Sequence, residues 1–189
     1  MRFGGLAGML LALTSWAAVV AYVTVAKAGT DRVGMQVFEL LYALVAVWSL
    51  FAVVAVHQRT RLTGEAWSLF ATLIGVAAGV GTVVAATYEV ASVRTNAALS
   101  SPSPVDPLHV LTFGLTGLWF LVANLLLRRT ATPRVLVLLG FVAAADLFLG
   151  FFGALSDSAS LVTLASIVAG GVGGPIYWLW LGLDLRRHA

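Results

Sequence analysis

Four ionisable side chains lie inside stretches of this sequence that otherwise consist of apolar residues. They are Glu39, Glu89, His109 and Asp146. An ionisable group inside a lipid bilayer costs about 3 kcal/mol or more, so it normally faces the interior of a helix bundle, a water-filled cavity or a partner. Carboxylates and imidazoles at such positions can bind a ligand, transfer a proton or coordinate a metal ion. These residues are therefore the first candidates for a functional site.

The composition is that of an integral membrane protein. Of the 189 residues, 60% are hydrophobic and 10% are charged, whereas soluble domains carry about 25% charged residues. The apolar stretches leave no room for a soluble domain, so residues 1–189 are expected to form one membrane domain. The absence of cysteine excludes disulfides, iron–sulfur clusters and cysteine nucleophiles.

Six apolar stretches have the length that a transmembrane α-helix needs, roughly 20 residues. They cover residues 6–26, 35–56, 67–93, 108–127, 135–155 and 161–183. The sequence therefore predicts an all-α bundle of six transmembrane helices, surrounded by the lipid bilayer.

Basic residues at the ends of these stretches predict the orientation. With the N-terminus in the cytoplasm, eight arginines lie inside, and Lys27, Arg32 and Arg94 lie outside. The eight are Arg2, Arg59, Arg61, Arg128, Arg129, Arg134, Arg186 and Arg187. Cytoplasmic loops carry an excess of positive charge, so both termini are predicted to be cytoplasmic. The formal charge of +3 is explained by this topology, and no binding of nucleic acid is expected.

Three of the ionisable residues fall at one depth near the outer ends of their helices. At about 1.5 Å per residue, Glu39 and Glu89 lie roughly 6 Å below the outer ends of helices two and three, and His109 lies at the start of helix four. Tyr42 shares a helix face with Glu39, since the two are three residues apart. These side chains predict a ligand or proton site, or a site for zinc, iron or manganese, if the helices bring them together.

A simpler alternative is that loop residues neutralise these groups. Glu39 would then pair with Lys27 or Arg32, and Glu89 with Arg94. No local HxxxH, HxxE or ExxH pair occurs, and most catalytic zinc sites use more than one histidine. Metal binding therefore depends on how the helices pack, and the sequence identifies no cofactor.

Asp146 lies near the middle of the fifth helix, at the predicted centre of the bilayer. At a similar depth the sixth helix contains four glycines and a proline, in the segment 170–175, which weaken helical hydrogen bonds and allow close approach of a neighbour. Broken helices at this depth bind substrates or ions in many transporters. Thr116 falls at the same depth and could continue a polar path from His109. Alternatively, a protonated Asp146 donates a hydrogen bond to a carbonyl group freed by Pro175.

Tyr177, Trp178 and Trp180 precede Asp184, Arg186 and Arg187, and this order predicts an aromatic anchor at the inner membrane surface. The basic turn 128–134 and the closing segment 174–182 resemble small bacterial six-helix membrane proteins of unknown function. The resemblance implies the fold and a bacterial plasma-membrane location, and it supplies no catalytic residue.

The leading functional prediction is a small-ligand-binding, sensing or accessory protein with a polar cavity open to the outside. The lack of a catalytic motif favours this class over an enzyme. One alternative is a proton- or ion-coupled transporter that uses Asp146, and a further alternative is a metal-dependent membrane enzyme. Six helices are few for a monomeric carrier, so a homo-oligomer or a larger membrane complex is a possible assembly.

Overall fold

The computed structural model describes residues 2–26, 32–94, 107–156 and 158–188. All regular elements in these ranges are helical, and they contain no strand. The α-helices are α1 (Arg2–Ala21), α2 (Arg32–Thr60), α3 (Glu65–Arg94), α4 (Pro107–Leu127), α5 (Arg134–Leu155), α6 (Ala159–Ala165) and α7 (Gly174–Arg187). Two π-helices, Tyr22–Ala26 and Ser166–Gly173, extend α1 and join α6 to α7. The all-α prediction is confirmed.

Within the described ranges, six helical stretches are long and apolar enough to cross a membrane, as predicted. They are Arg2–Thr24, Arg32–Thr60, Glu65–Arg94, Val110–Leu127, Arg134–Leu155 and Ser160–Arg187. The second and third are several residues longer than the apolar stretches, because backbone hydrogen bonding continues through their polar ends. A short turn separates them, and the N–H of Ser68 bonds to the carbonyl of Gly64 as α3 begins.

The six stretches pack in a ring that follows their order along the chain. Each of the helices α1 to α5 packs on the next helix in the chain, and α7 packs on α1 to close the ring. Consecutive stretches run antiparallel. We call one end of the bundle the Arg2 end; it contains Arg2, Arg187 and the turns 60–65 and 127–134. We call the opposite end the Glu39 end.

Glycines allow α1 and α7 to approach closely where the ring closes. A Cβ atom at Gly8 would lie 3.2 Å from the Cα atom of Gly182, and one at Gly182 would lie 2.6 Å from the carbonyl oxygen of Gly5. Small residues at helix contacts are a general means of packing apolar helices, because they bring two backbones within van der Waals distance.

The packing of α2 against α3 has a fixed antiparallel register. Near the Arg2 end, the hydroxyl oxygens of Thr60 and Ser68 lie 2.8 Å apart. Eleven residues further along each helix, a Cβ atom at Gly79 would lie 3.2 Å from the hydroxyl oxygen of Ser49. Two residues, one on each helix, that are the same number of positions from these contacts therefore lie at the same height along the bundle.

A nearly buried ion pair joins α2 to α7 at the Arg2 end. Nη2 of Arg59 lies 3.6 Å from Oδ2 of Asp184, and the two side chains are 9% and 6% exposed. From the sequence, Arg59 is predicted to be a loop residue that signals topology. The structure shows that it also has a packing role, since the last turn of α2 lies against α7.

The prediction of an aromatic anchor was wrong for two of its three residues. Tyr177 is fully buried, and Trp178 is 7% exposed. The hydroxyl group of Tyr177 donates to Oδ1 of Asn124 over 3.2 Å, and the ring of Trp178 stacks on Trp119 at a centroid distance of 5.1 Å. These side chains point to the centre of the bundle because α7 is packed on α1 and lies near α5.

Candidate functional site

Glu39 of α2 lies opposite Glu89 of α3, near the Glu39 end. From Ser49 to Glu39 is ten residues, and from Gly79 to Glu89 is also ten residues, so the register established above brings the two carboxyl groups to the same height. Glu89 is close enough to act electrostatically on Glu39. We call these two residues the carboxyl pair.

The Glu39 side chain is buried without a hydrogen-bond partner among the described residues. It is 1% exposed, and neither of its carboxyl oxygens has a partner there. Burial of an ionised carboxylate is costly unless it is paired and hydrogen-bonded, and the nearby negative charge of Glu89 adds to that cost. The predicted ion pair of Glu39 with Arg32 is absent, since no described side chain bonds to either carboxyl oxygen of Glu39. The predicted pairing with Lys27 lies outside the described residues.

A cavity of about 120 Å³ begins one helical turn below Glu39 and extends toward the middle of the bundle. Helices α1, α2, α3, α4 and α7 all contribute to its wall. Tyr42, which follows Glu39 by three residues, lines it and is under the electrostatic influence of Glu39. The cavity and the carboxyl pair are therefore adjacent parts of one region.

The cavity wall is largely apolar, with a few hydroxyl groups and two indole rings. Ser49 and Thr82 line it, but their hydroxyl groups donate to the carbonyls of Ala46 and Ala78 in their own helices, at 2.7 and 2.9 Å. Trp119 and Trp178 contribute aromatic surface at the deeper end. Such a wall accommodates an apolar or aromatic group.

Thr116 lines the same cavity, and its role in a ligand or proton site stays a prediction. His109 belongs to α4 two residues from its start, but its imidazole is outside the described part of the chain. Among the described side chains, no group of three histidine, aspartate or glutamate residues gathers into a metal site. Because the third predicted ligand is His109, the metal site remains a prediction.

Asp146 is buried in α5 and lies near the sixth span. It is 7% exposed, its carboxyl group lies near the backbone N–H of Ala169, and its Oδ2 atom has no hydrogen-bond partner in the described ranges. The sequence predicted a connection between Asp146 and the glycine-rich segment of the sixth helix. In the structure α5 contacts this segment, and the group nearest to Asp146 is an amide next to the glycines.

Asp146 does not join the carboxyl pair. Leu147, the neighbour of Asp146, packs on Gly117 of α4. Two residues further along α4, Trp119 packs on Gly75 of α3, so Asp146 lies at about the height of Gly75. Gly75 is fourteen residues from the carboxyl pair along α3, so Asp146 lies roughly 20 Å from that pair along the bundle axis. None of the described lining residues of the cavity belongs to α5.

The sixth span contains a π-helix at the position where a weakened helix was expected. The N–H of Gly174 bonds to the carbonyl of Ala169, five residues earlier. The predicted close approach of a neighbouring helix to these glycines was wrong: a Cβ atom at Gly170 or Gly171 would have nothing within 4 Å. The glycines therefore permit a change of helix type and are not a packing surface.

The ionisable residues could be identified from the sequence, but the cavity could not. Thr82 carries one available signal, because it is seven residues from Glu89 and therefore lies on the same face of α3. Ser49, ten residues from Glu39, lacks this signal. Trp119 and Trp178 gave no such signal, since hydropathy does not reveal the direction in which an aromatic side chain points.

Comparison of the chain with known protein families, with curated proteins and with solved structures found no match. The resemblance to small bacterial six-helix proteins therefore stays a prediction. The same holds for a homo-oligomer or a larger membrane complex.

Proposed function

We propose that this chain is a multi-pass protein of the bacterial plasma membrane that binds a small ligand and acts as a sensing or accessory module, not as an enzyme. Both termini would be cytoplasmic, so the Glu39 end would face outward. The ligand would bind at the carboxyl pair and in the cavity beneath it.

The burial of Glu39 carries this proposal. A carboxyl group that is 1% exposed and has no hydrogen-bond partner among the described residues is a costly arrangement for the fold. Costs of this kind are typical of binding sites, where a bound molecule offsets them. The adjacent cavity provides the volume for such a molecule.

The cavity allows a direct test with matched variants. Ala78 is buried and lines the cavity, whereas its neighbour Ala77 is exposed on the outer face of α3. Ala78→Leu would fill part of the cavity, and Ala77→Leu would add the same side chain to the outer surface. The probes are n-butylamine, 1-butanol and butyrate, which share a four-carbon chain and differ in charge.

Purified protein in lipid nanodiscs is titrated with each probe, and its thermal stability is measured. A probe present at ten times its Kd should stabilise the protein by about 1.4 kcal/mol, which corresponds to a rise in Tm of about 3 to 6 °C. At least one probe should produce this rise in the parent and in Ala77→Leu, but not in Ala78→Leu. If no probe does so, or if Ala78→Leu responds like the parent, the cavity is not a ligand site.

A transporter that uses Asp146 is the second candidate. Its buried Oδ2 atom without a described partner supports this possibility, since a proton or an ion could bind there. Uptake of a labelled substrate into proteoliposomes that is unchanged by Asp146→Asn would argue against it.

A further inference from the structure

We infer that the ligand is a small organic cation, whose ammonium group binds between Glu39 and Glu89 and whose apolar part enters the cavity. This inference rests on the proposed function and adds the chemical class of the ligand. It follows from three properties of the site that must be satisfied together.

The first property is charge. The carboxyl pair places two acidic side chains at one height in neighbouring helices, and Glu39 has no described hydrogen-bond partner. An ammonium group between them would stabilise both groups as carboxylates and would donate charge-assisted hydrogen bonds, which are about twice as strong as neutral ones. An anionic ligand would repel the ionised form of both groups, and a neutral ligand would supply no charge to compensate it.

The second property is the nature of the cavity wall. Tyr42 lies between the carboxyl pair and the deeper part of the cavity, and Trp119 and Trp178 lie beyond it. Aromatic faces attract cations and also provide apolar contact area. A metal ion or an inorganic ammonium ion at the carboxyl pair would leave this apolar volume unused.

The third property is size. The cavity volume is about 120 Å³, somewhat less than that of an engineered apolar cavity of about 150 Å³ that binds benzene. The apolar part of the ligand therefore has about four to six carbon atoms. Tyr42 lines the cavity, and Glu39 lies above it, about one helical turn or roughly 5 Å along α2. This distance is within the length of a primary amine on such a chain.

The experiment compares probes that differ in one property at a time. Binding of n-butylammonium, 1-butanol, butyrate and ammonium chloride is measured by calorimetry and by the shift in Tm, with the parent protein in nanodiscs. We expect n-butylammonium to bind at least tenfold more tightly than each of the other three. This comparison needs no variant and does not depend on how a mutant folds.

Variants then assign the charge preference to the carboxyl pair. Glu39→Gln should reduce the affinity for n-butylammonium to that for 1-butanol. Glu65→Gln should leave it unchanged, since Glu65 is exposed at the Arg2 end. If Glu39→Gln does not fold, Glu89→Gln replaces it with the same expectation.

The possible failures are distinguishable. If 1-butanol binds as tightly as n-butylammonium, and Ala78→Leu abolishes both, the cavity binds ligands but the cationic class is wrong. If ammonium chloride binds as tightly as n-butylammonium, the apolar part of the ligand is wrong. If none of the four binds, this inference and the proposed function both fail.

Discussion

The carboxyl group of Asp146 lies close enough to the backbone N–H of Ala169 to interact with it electrostatically, and this contact joins α5 to the π-helical part of the sixth span. The segment that receives this support contains three glycines and is followed by Gly174 and Pro175, and proline has no N–H to donate. Its own helical hydrogen bonding is therefore weaker than that of an ordinary helix. A side chain from the neighbouring helix holds it in place.

Loss of this contact should destabilise the protein. Asp146→Ala removes the polar contact between this nearly buried carboxyl group and the Ala169 amide, so we expect the free energy of unfolding to fall by about 2 kcal/mol. Asp146→Asn retains a carbonyl oxygen and should cost less than about 1 kcal/mol. Equilibrium unfolding in mixed detergent micelles measures both. Equal losses would mean that the negative charge of Asp146, and not its contact with the Ala169 amide, stabilises the fold.

Replacement of Glu39 should have the opposite effect on stability. Glu39→Gln replaces a buried carboxyl group that faces Glu89 with a neutral amide, and substitutions that relieve such strain at a functional site commonly raise stability, here by about 1 kcal/mol. The exposed Glu65 provides the control, and Glu65→Gln should change stability by less than about 0.5 kcal/mol. A clear loss of stability in Glu39→Gln would show that the carboxylate has a structural partner.

The ion pair between Arg59 and Asp184 should behave as a coupled unit. Because both side chains are nearly buried, Asp184→Asn leaves the Arg59 charge without its partner and should cost about 3 kcal/mol. Arg59→Gln should cost somewhat less, because His188 still lies 3.5 Å from Asp184. The double variant should lose less than the sum of the single losses. Arg61→Gln, at an exposed position of the neighbouring turn, should have little effect. Additive losses from the two single variants would contradict the coupling.

Two glycines provide a comparison between a crowded and an open position. At Gly140 a Cβ atom would overlap the side-chain amide of Asn124, which donates to the carbonyl of Phe120 and accepts from Tyr177. Gly140→Ala should therefore cost about 2 kcal/mol. Gly171→Ala has nothing within 4 Å and should be neutral or stabilising by about 0.7 kcal/mol. The reverse order of stabilities in thermal unfolding would contradict this packing.

The predicted orientation can be tested with alkaline phosphatase, which is active only outside the cytoplasm. Fusions after Leu62 and after Ala189 should be inactive, and a fusion after Arg94 should be active, because the arginine-rich Arg2 end is expected in the cytoplasm. Activity after Ala189 together with inactivity after Arg94 would reverse the orientation.

Depth along each helix could be predicted from the sequence, because apolar length and the positions of charged ends depend on chain order alone. For this reason the six spans were predicted, and Glu39 and Glu89 were assigned to one height. Rotation about the helix axis and the choice of neighbour could not be predicted in the same way. Tyr177 and Trp178 were therefore placed at the membrane surface, although both point into the bundle.

In the candidate site, too, depth along a helix could be predicted from the sequence, but the neighbouring helix could not. Glu39 and Tyr42 were placed on one face by their spacing alone. That Glu89 is opposite Glu39 depends on the register of α2 and α3, which is set by contacts such as that between Ser49 and Gly79. Arg59 was known to lie near a helix end, but its contact with Asp184 joins residues that are far apart in the chain.

The contact between α1 and α7 has a consequence for protein engineering. Since Gly5 and Gly8 pack directly on Gly182, residues 2 and 187 lie at the same end of adjacent helices, and a short linker can connect them. The chain can then be opened in the exposed turn near Leu62, in the manner of a circular permutation. Such a permutant would retain all the helix pairings of the ring and would begin with α3.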